Sequence, residues 1–117
     1  MHNVKELKIW QKAVDLATDI YQLTAHFPNE EKYGLTSQIR RAVVSISSNI
    51  AEGAGRNSDK EFVQFLSIAN GSAYELQTQL IISRNLGLIN ASLEDILDRI
   101  DQIQKMNYSL QQKLIQN

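Results

Sequence analysis

Two histidines, thirteen carboxylates and no cysteine make up the acid–base and metal-ligating resources of this 117-residue chain. Their spacing builds no familiar catalytic constellation. A metal-binding helical bundle needs Glu-x-x-His pairs facing inward, and neither His2 nor His26 stands three residues after a glutamate. There is no His-Glu-x-x-His run, phosphate-cradling glycine loop or Gly-x-Ser-x-Gly elbow. Gly53-Ala54-Gly55 is too short to hold a pyrophosphate and follows no strand pattern. No catalytic, metal or cofactor residue is therefore assigned, and the chain is not expected to be an enzyme. His2 is read as part of a frayed terminus, and His26 as a cation suited to the end of a helix. The lack of cysteine excludes disulfides and thiolate sites and fits a reducing, cytoplasmic setting.

The chemistry that remains is charge and hydrogen bonding, concentrated between Gln38 and Arg56. Across residues 35–56, Arg40, Arg41 and Arg56 face Glu52 alone, a local +2, whereas the whole chain carries −1. At about 100° per residue, Gln38, Arg41, Ser45, Ser48, Asn49 and Glu52 share one helical face, opposite Ile39, Val43, Ile46 and Ile50. Serine and asparagine are poor helix-interior formers, so their concentration needs a cause. One cause is close packing: small side chains admit a neighbouring helix, with Gly71-Ser72 as the partner and Arg41, Asn49 and Glu52 as an internal network. The other is a recognition surface. Arg40 lies off this stripe, about 100° from Arg41. Arg40, Arg41 and Arg56, with Lys60 able to join them, are the candidates for phosphate or an acidic partner; if Arg41 is locked internally onto Glu52, Arg40 and Arg56 are the better ones. A solvated face, or ion pairs between subunits, would use the same arginines.

Four helices must position these residues. The first is expected from about Glu6 to His26. Trp10, Ala13, Val14, Ala17, Ile20, Tyr21 and Thr24 form its main face, and Ile9, Leu16, Leu23 and Phe27 a second row, before Pro28 stops it. The second should run from Ser37 to Ala54 with Thr36 as N-cap and Gly53 and Gly55 loosening its end. The third opens on the capping box Ser58-Asp59-Lys60-Glu61 and repeats every seven residues through Phe62, Phe65, Leu66, Ala69, Ala73, Leu76 and Leu80. It closes at Gly87, with Leu88 folding back. The fourth should start at Ser92 and carry Leu93, Ile96, Leu97, Ile100, Ile103, Leu110 and Leu114.

Composition agrees: 43% hydrophobic residues, one proline and five glycines suit a helical globular chain. Short links favour an all-α, antiparallel up-down four-helix bundle occupying residues 1–117 as a single domain. No apolar run is long enough for a transmembrane helix or a signal peptide, so no membrane role is expected. Tyr21, Val44, Val63, Ile68, Tyr74, Ile81 and Ile115 fall beside or away from the core stripes, a surplus that suggests a subunit interface.

The run Gln38, Arg40-Arg41, Ser45-Ile46 and Asn49-Ile50-Ala51-Glu52-Gly53 resembles the signature of the four-helix proteins encoded in intervening sequences of bacterial 23S ribosomal RNA genes. Leu7, Trp10 and Ala13 before it, Phe27-Pro28 and Gly34-Leu35 between, and Phe62, Phe65-Leu66, Ala69, Gly71-Ser72 and Glu75-Leu76 after it extend the match over about residues 5 to 90. The resemblance implies a homopentameric barrel without assigned activity in most members. The family also holds accessory proteins of diversity-generating retroelements, which bind a reverse transcriptase and nucleic acid through a basic surface; the near-neutral charge here departs from that subgroup. Together these readings lead to a non-enzymatic, oligomeric binding or scaffold protein whose partner is RNA or a nucleic-acid-processing protein. The alternative is a protein–protein interaction module with no nucleic-acid role, consistent with the net charge of −1.

Overall fold

In the computed structural model, which describes residues 1–116, the chain forms α1 (Lys8–Thr24), α2 (Leu35–Ala54), α3 (Asp59–Asn85) and α4 (Glu94–Gln116). Two 3-10 turns, Val4–Glu6 and Asn29–Glu31, precede α1 and α2. The described residues contain no strand, and Asn117, last in the expected domain, lies outside them. Each helix packs on its neighbours in order, and α4 returns to α1, giving an elongated body of 46 × 23 × 20 Å. No helix is long and apolar enough to cross a membrane among the described residues.

The buried row of α1 is Ile9, Ala13, Leu16, Ile20 and Thr24. It combines Ala13, Ile20 and Thr24 of the expected main face with Ile9 and Leu16 of the second row; Trp10, Val14 and Ala17 flank it and Tyr21 is exposed. Pro28 ends the segment, and Phe27 folds under it into the core.

Helix α2 begins earlier than its serine- and threonine-rich start suggests. Gly34 stands at the N-cap without a side-chain cap, its carbonyl accepts the Gln38 amide at 3.0 Å, and Thr36 is inside the helix and buried. Its far end is held, not loosened, by glycine. A Cβ on Gly53 would stand 2.7 Å from Phe65 Cβ and 2.8 Å from Phe62 Cδ1. Glycine there lets α2 and α3, the most closely engaged pair, approach within side-chain contact.

The repeat of α3 is buried from Phe62 through Leu66, Ala69, Ala73 and Leu76 to Leu80; Phe65 alone of the expected set is only half-buried, at the edge of the core under Arg56. Ser58 Oγ accepts the Glu61 amide at 3.2 Å, one half of the expected capping box; the return bond from Glu61 is not made. At the other end Gly87 adopts φ 77°. Its amide donates to Arg84 O at 3.0 Å and that of Leu88 to Ser83 O at 2.9 Å, the paired bonds of a Schellman motif.

A buried polar tie crosses the apolar seam between α3 and α4. Buried Asn107 donates to Leu66 O at 2.9 Å and accepts from Gln111 Nε2 at 2.6 Å. The N-terminus is also tied. The His2 amide donates to Ala54 O at 2.8 Å, its Nε2 lies 3.0 Å from Asp59 Oδ1, and its ring packs 5.0 Å from that of Phe62. The frayed start expected from sequence is therefore pinned where α2 turns into α3. Leu7 and Lys8 meet Met106, Leu110 and Lys113 at the same end.

Candidate functional site

The sequence candidates divide into two groups. Arg40 and Arg41 lie near the start of α2; Arg56 and Lys60 lie beyond its end. At 1.5 Å rise per residue, Arg41 and Arg56 are separated by roughly 22 Å along the axis. Arg56 donates to Glu52 Oε1 at 2.8 Å, and its guanidinium sits 4.8 Å from the Phe65 ring centroid. Lys60 is exposed in the first turn of α3.

The polar stripe does pack, with partners different from those expected. Ser45 and Ser72 share a hydroxyl hydrogen bond of 2.9 Å between α2 and α3. Asn49 Nδ2 donates to Ser45 O at 2.8 Å and to Ser45 Oγ at 2.9 Å. Gln79 Nε2 reaches Gln38 Oε1 at 3.5 Å, and Ser48 is exposed. Ser45 and Asn49 therefore serve the α2–α3 contact through Ser72, as the close-packing reading has it in part; Ser48 is exposed, and Gly71, the other expected partner, meets nothing within 4 Å of an added Cβ. The Arg41–Asn49–Glu52 network does not form. Eleven residues, roughly 16 Å of helix, separate Arg41 from Glu52, whereas Arg56 is only one turn from Glu52 and takes it.

The arginine that is anchored is Arg40. Its position turns it toward the last turn of α1, where helix carbonyls carry partial negative charge. Nε donates to Thr24 Oγ1 at 2.9 Å and Nη2 to Tyr21 O at 3.1 Å, and the guanidinium lies 4.4 Å from the Tyr21 ring centroid. Thr24 is buried, and its hydroxyl donates a hydrogen bond to Ile20 O at 2.8 Å. These contacts hold Arg40 in place but do not neutralise it.

Arg40 and Arg41 wall a groove of 580 Å³ between α1 and α2. Lys32 adds a third cation; Tyr21 and Tyr33 add aromatic surface; Thr36, Ser37 and Ser45 add hydroxyls; no carboxylate lines it. Thr36, Ser37, Arg40, Arg41, Val44 and Ser45 are successive positions on one side of α2, so the groove runs along that helix. Of the five arginines in the chain, Arg56, Arg84 and Arg99 pair with Glu52, Glu94 and Asp19 at 2.8, 3.7 and 2.7 Å. Among the described residues, Arg40 and Arg41 have no carboxylate within pairing distance, and Arg41 makes no hydrogen bond. Such a groove can hold an anion through bidentate guanidinium contacts.

Sequence reasoning missed Lys32 and Tyr33. Both sit in the irregular link before Gly34, where no periodicity operates. The available signal was a cation and an aromatic placed just ahead of a helix start.

Comparison with known proteins places this geometry. No curated protein matches the sequence. A crystal structure from Bacteroides thetaiotaomicron, described as a protein of unknown function from the S23 ribosomal protein family, superposes with a TM-score of 0.75 at 24% identity, covering 88% of this chain and 97% of that one. This likeness concerns the fold. The sequence itself matches the family described as 23S rRNA-intervening sequence protein over residues 5–109, which includes the polar stripe, the Gly53 contact and the cationic groove. On that match the chain belongs to the 23S rRNA-intervening sequence protein family.

Proposed function

We propose that this protein is a non-enzymatic, cytoplasmic, homo-oligomeric binding or scaffold protein, assembled as a pentamer, that contacts RNA through the α1–α2 groove. The observation that carries the RNA reading is the pair of arginines without carboxylate partners, Arg40 and Arg41, gathered with Lys32 in one groove. A half-buried guanidinium without a counterion is costly unless an anion meets it. One groove offers three cations, a modest count for nucleic acid. Several copies on one assembly would multiply it through avidity.

The assembly reading rests on apolar side chains left in water. Ile68 (52% exposed) and Ile82 stand two heptads apart on the outward side of α3, and Leu86 (63% exposed) continues the row one turn further. Such a row suits burial against another copy. The same row supports the second reading, a protein–protein module in which the groove takes an acidic segment of a protein.

Fluorescence anisotropy of a labelled RNA across a salt series tests the proposal. Binding should weaken as salt rises, because each neutralised phosphate releases counterions. Arg40→Ala with Arg41→Ala should flatten the logarithmic slope by roughly 0.7 per lost contact on a single strand. Arg56→Ala with Lys60→Ala should leave it unchanged. Absence of binding at low salt would remove the RNA reading and leave the protein module; sensitivity only to the second pair would overturn the α1–α2 groove as the site and move RNA to the Arg56 end of the bundle.

A further inference from the structure

We infer that the α1–α2 groove is built for single-stranded nucleic acid, with a base stacked on Tyr33 and the flanking phosphates on Lys32 and Arg41. This rests on the RNA reading above and narrows it. Three observations carry it. The first is Tyr33 itself, 89% exposed at the lip of the groove in the link before α2. An exposed aromatic ring with a cation over one face and the other open is an arrangement on which unpaired bases stack. Lys32 Nζ lies 5.5 Å from the Tyr33 ring centroid, which places a phosphate-binding charge next to the stacking surface.

The second is the recess of Arg40. Bound to Thr24 Oγ1 and Tyr21 O, its guanidinium is held back against the end of α1, and reaching out to a convex duplex would break both bonds. A duplex resting across the rim would touch only Lys32 and Arg41. Nothing on this face projects to enter a major groove about 12 Å wide. A flexible strand can dip into the groove and reach Arg40, whose guanidinium already stacks on Tyr21.

The third is continuity. Tyr21 also walls a second hollow of 450 Å³ further along the α1–α2 seam, where Val14, Ala17 and Ser47 supply uncharged surface. The furrow thus changes from cationic to neutral along its length. That suits a strand entering by its phosphates and laying bases against apolar surface. From Thr36 to Ser47 the seam runs roughly 16 Å by helix rise, room for about five nucleotides at the 3.4 Å stacked spacing.

The test uses the full chain and a fluorescein-labelled 12-nucleotide RNA without self-complementarity, alone and annealed to its complement, with a DNA strand of the same sequence as a further arm. The single strand should bind about tenfold tighter than the duplex. Tyr33→Leu should weaken the single strand at least about fivefold without changing the salt slope, since no phosphate contact is lost. Tyr33→Phe, which keeps the ring, should stay within about twofold of wild type. Arg41→Ala should instead reduce the slope by roughly 0.7. Equal or tighter duplex binding, or a Tyr33→Leu variant within twofold of wild type, overturns this inference and leaves the RNA reading standing. Preference for the DNA strand retains the stacking site but overturns RNA as its ligand. No binding of any strand at low salt overturns both.

Discussion

Replacing Gly53 with alanine should destabilise the protein, although alanine is the better helix former. The new methyl carbon would lie 2.7 Å from Phe65 Cβ and 2.8 Å from Phe62 Cδ1, with Phe62 O at 3.3 Å. Carbon atoms pack best at about 3.5–4.0 Å, so two contacts are short by roughly 1 Å. Neither neighbour yields easily: Phe65 Cβ is fixed to its backbone, and the Phe62 ring is fully buried. Relief requires α2 and α3 to separate locally, and overpacking of this kind costs about 1–3 kcal/mol. An overlap this large belongs near the upper end, about 3 kcal/mol. Alanine's helix propensity returns up to about 1 kcal/mol, leaving a net loss near 2 kcal/mol. For a chain of this size that is roughly 8 °C in Tm. The matched control is Gly71→Ala. No atom lies within 4 Å of the added methyl, so the isolated protomer should gain up to about 1 kcal/mol. Circular dichroism melts at equal protomer concentration compare the two, since assembly makes Tm concentration-dependent. A Gly53→Ala protein melting at or above wild type would refute the claim that this glycine sets the α2–α3 approach.

Asn107→Ala should lower stability by roughly 1–3 kcal/mol in urea titrations, because Gln111 loses its acceptor and a buried gap opens. Asn49→Ala should cost less than about 1 kcal/mol, since Ser45 keeps its bond to Ser72; a larger loss would mean that the stripe is more tightly coupled than its bonds indicate. Thr24→Val removes the Nε acceptor of Arg40 and should cost about 1–3 kcal/mol by thermal melt. Glu52→Gln should change Tm by little, because its pair with Arg56 is exposed. Ile68→Glu with Ile82→Glu should lower the mass measured by light scattering toward the 13.3 kDa protomer; an unchanged assembly would place the interface elsewhere.

Sequence pattern was informative wherever structure is periodic or local. The α3 heptad, the Pro28 stop and the Gly87–Leu88 closure depend on residues within a turn or two of one another, and each formed as its spacing implied. The candidate groove depends on contacts between segments. Whether Arg40 or Arg41 is anchored follows from the end of α1 delivering Thr24 and the Tyr21 carbonyl beside one and not the other, which no helical wheel of α2 contains. Gly53 misled for the same reason: alone it reads as a helix weakener, and only the position of Phe62 and Phe65 makes it a contact. Lys32 and Tyr33, in an irregular link, had no periodic pattern to give them away.

The pinned His2 and the meeting of Leu7 with Lys113 bring both ends of the described chain to the end of the bundle where α2 turns into α3. Because α4 also packs against α1, the four helices close a ring, and their order of connection becomes a design variable. A short Gly/Ser linker from Gln116 back to His2, with new ends opened between Gly87 and Leu93, gives a circular permutant that keeps every helix neighbour. The α1–α2 groove would survive that rewiring intact. A label placed at His2 or Gln116 would stand at the opposite end of the bundle, away from Lys32, Tyr33 and Arg41.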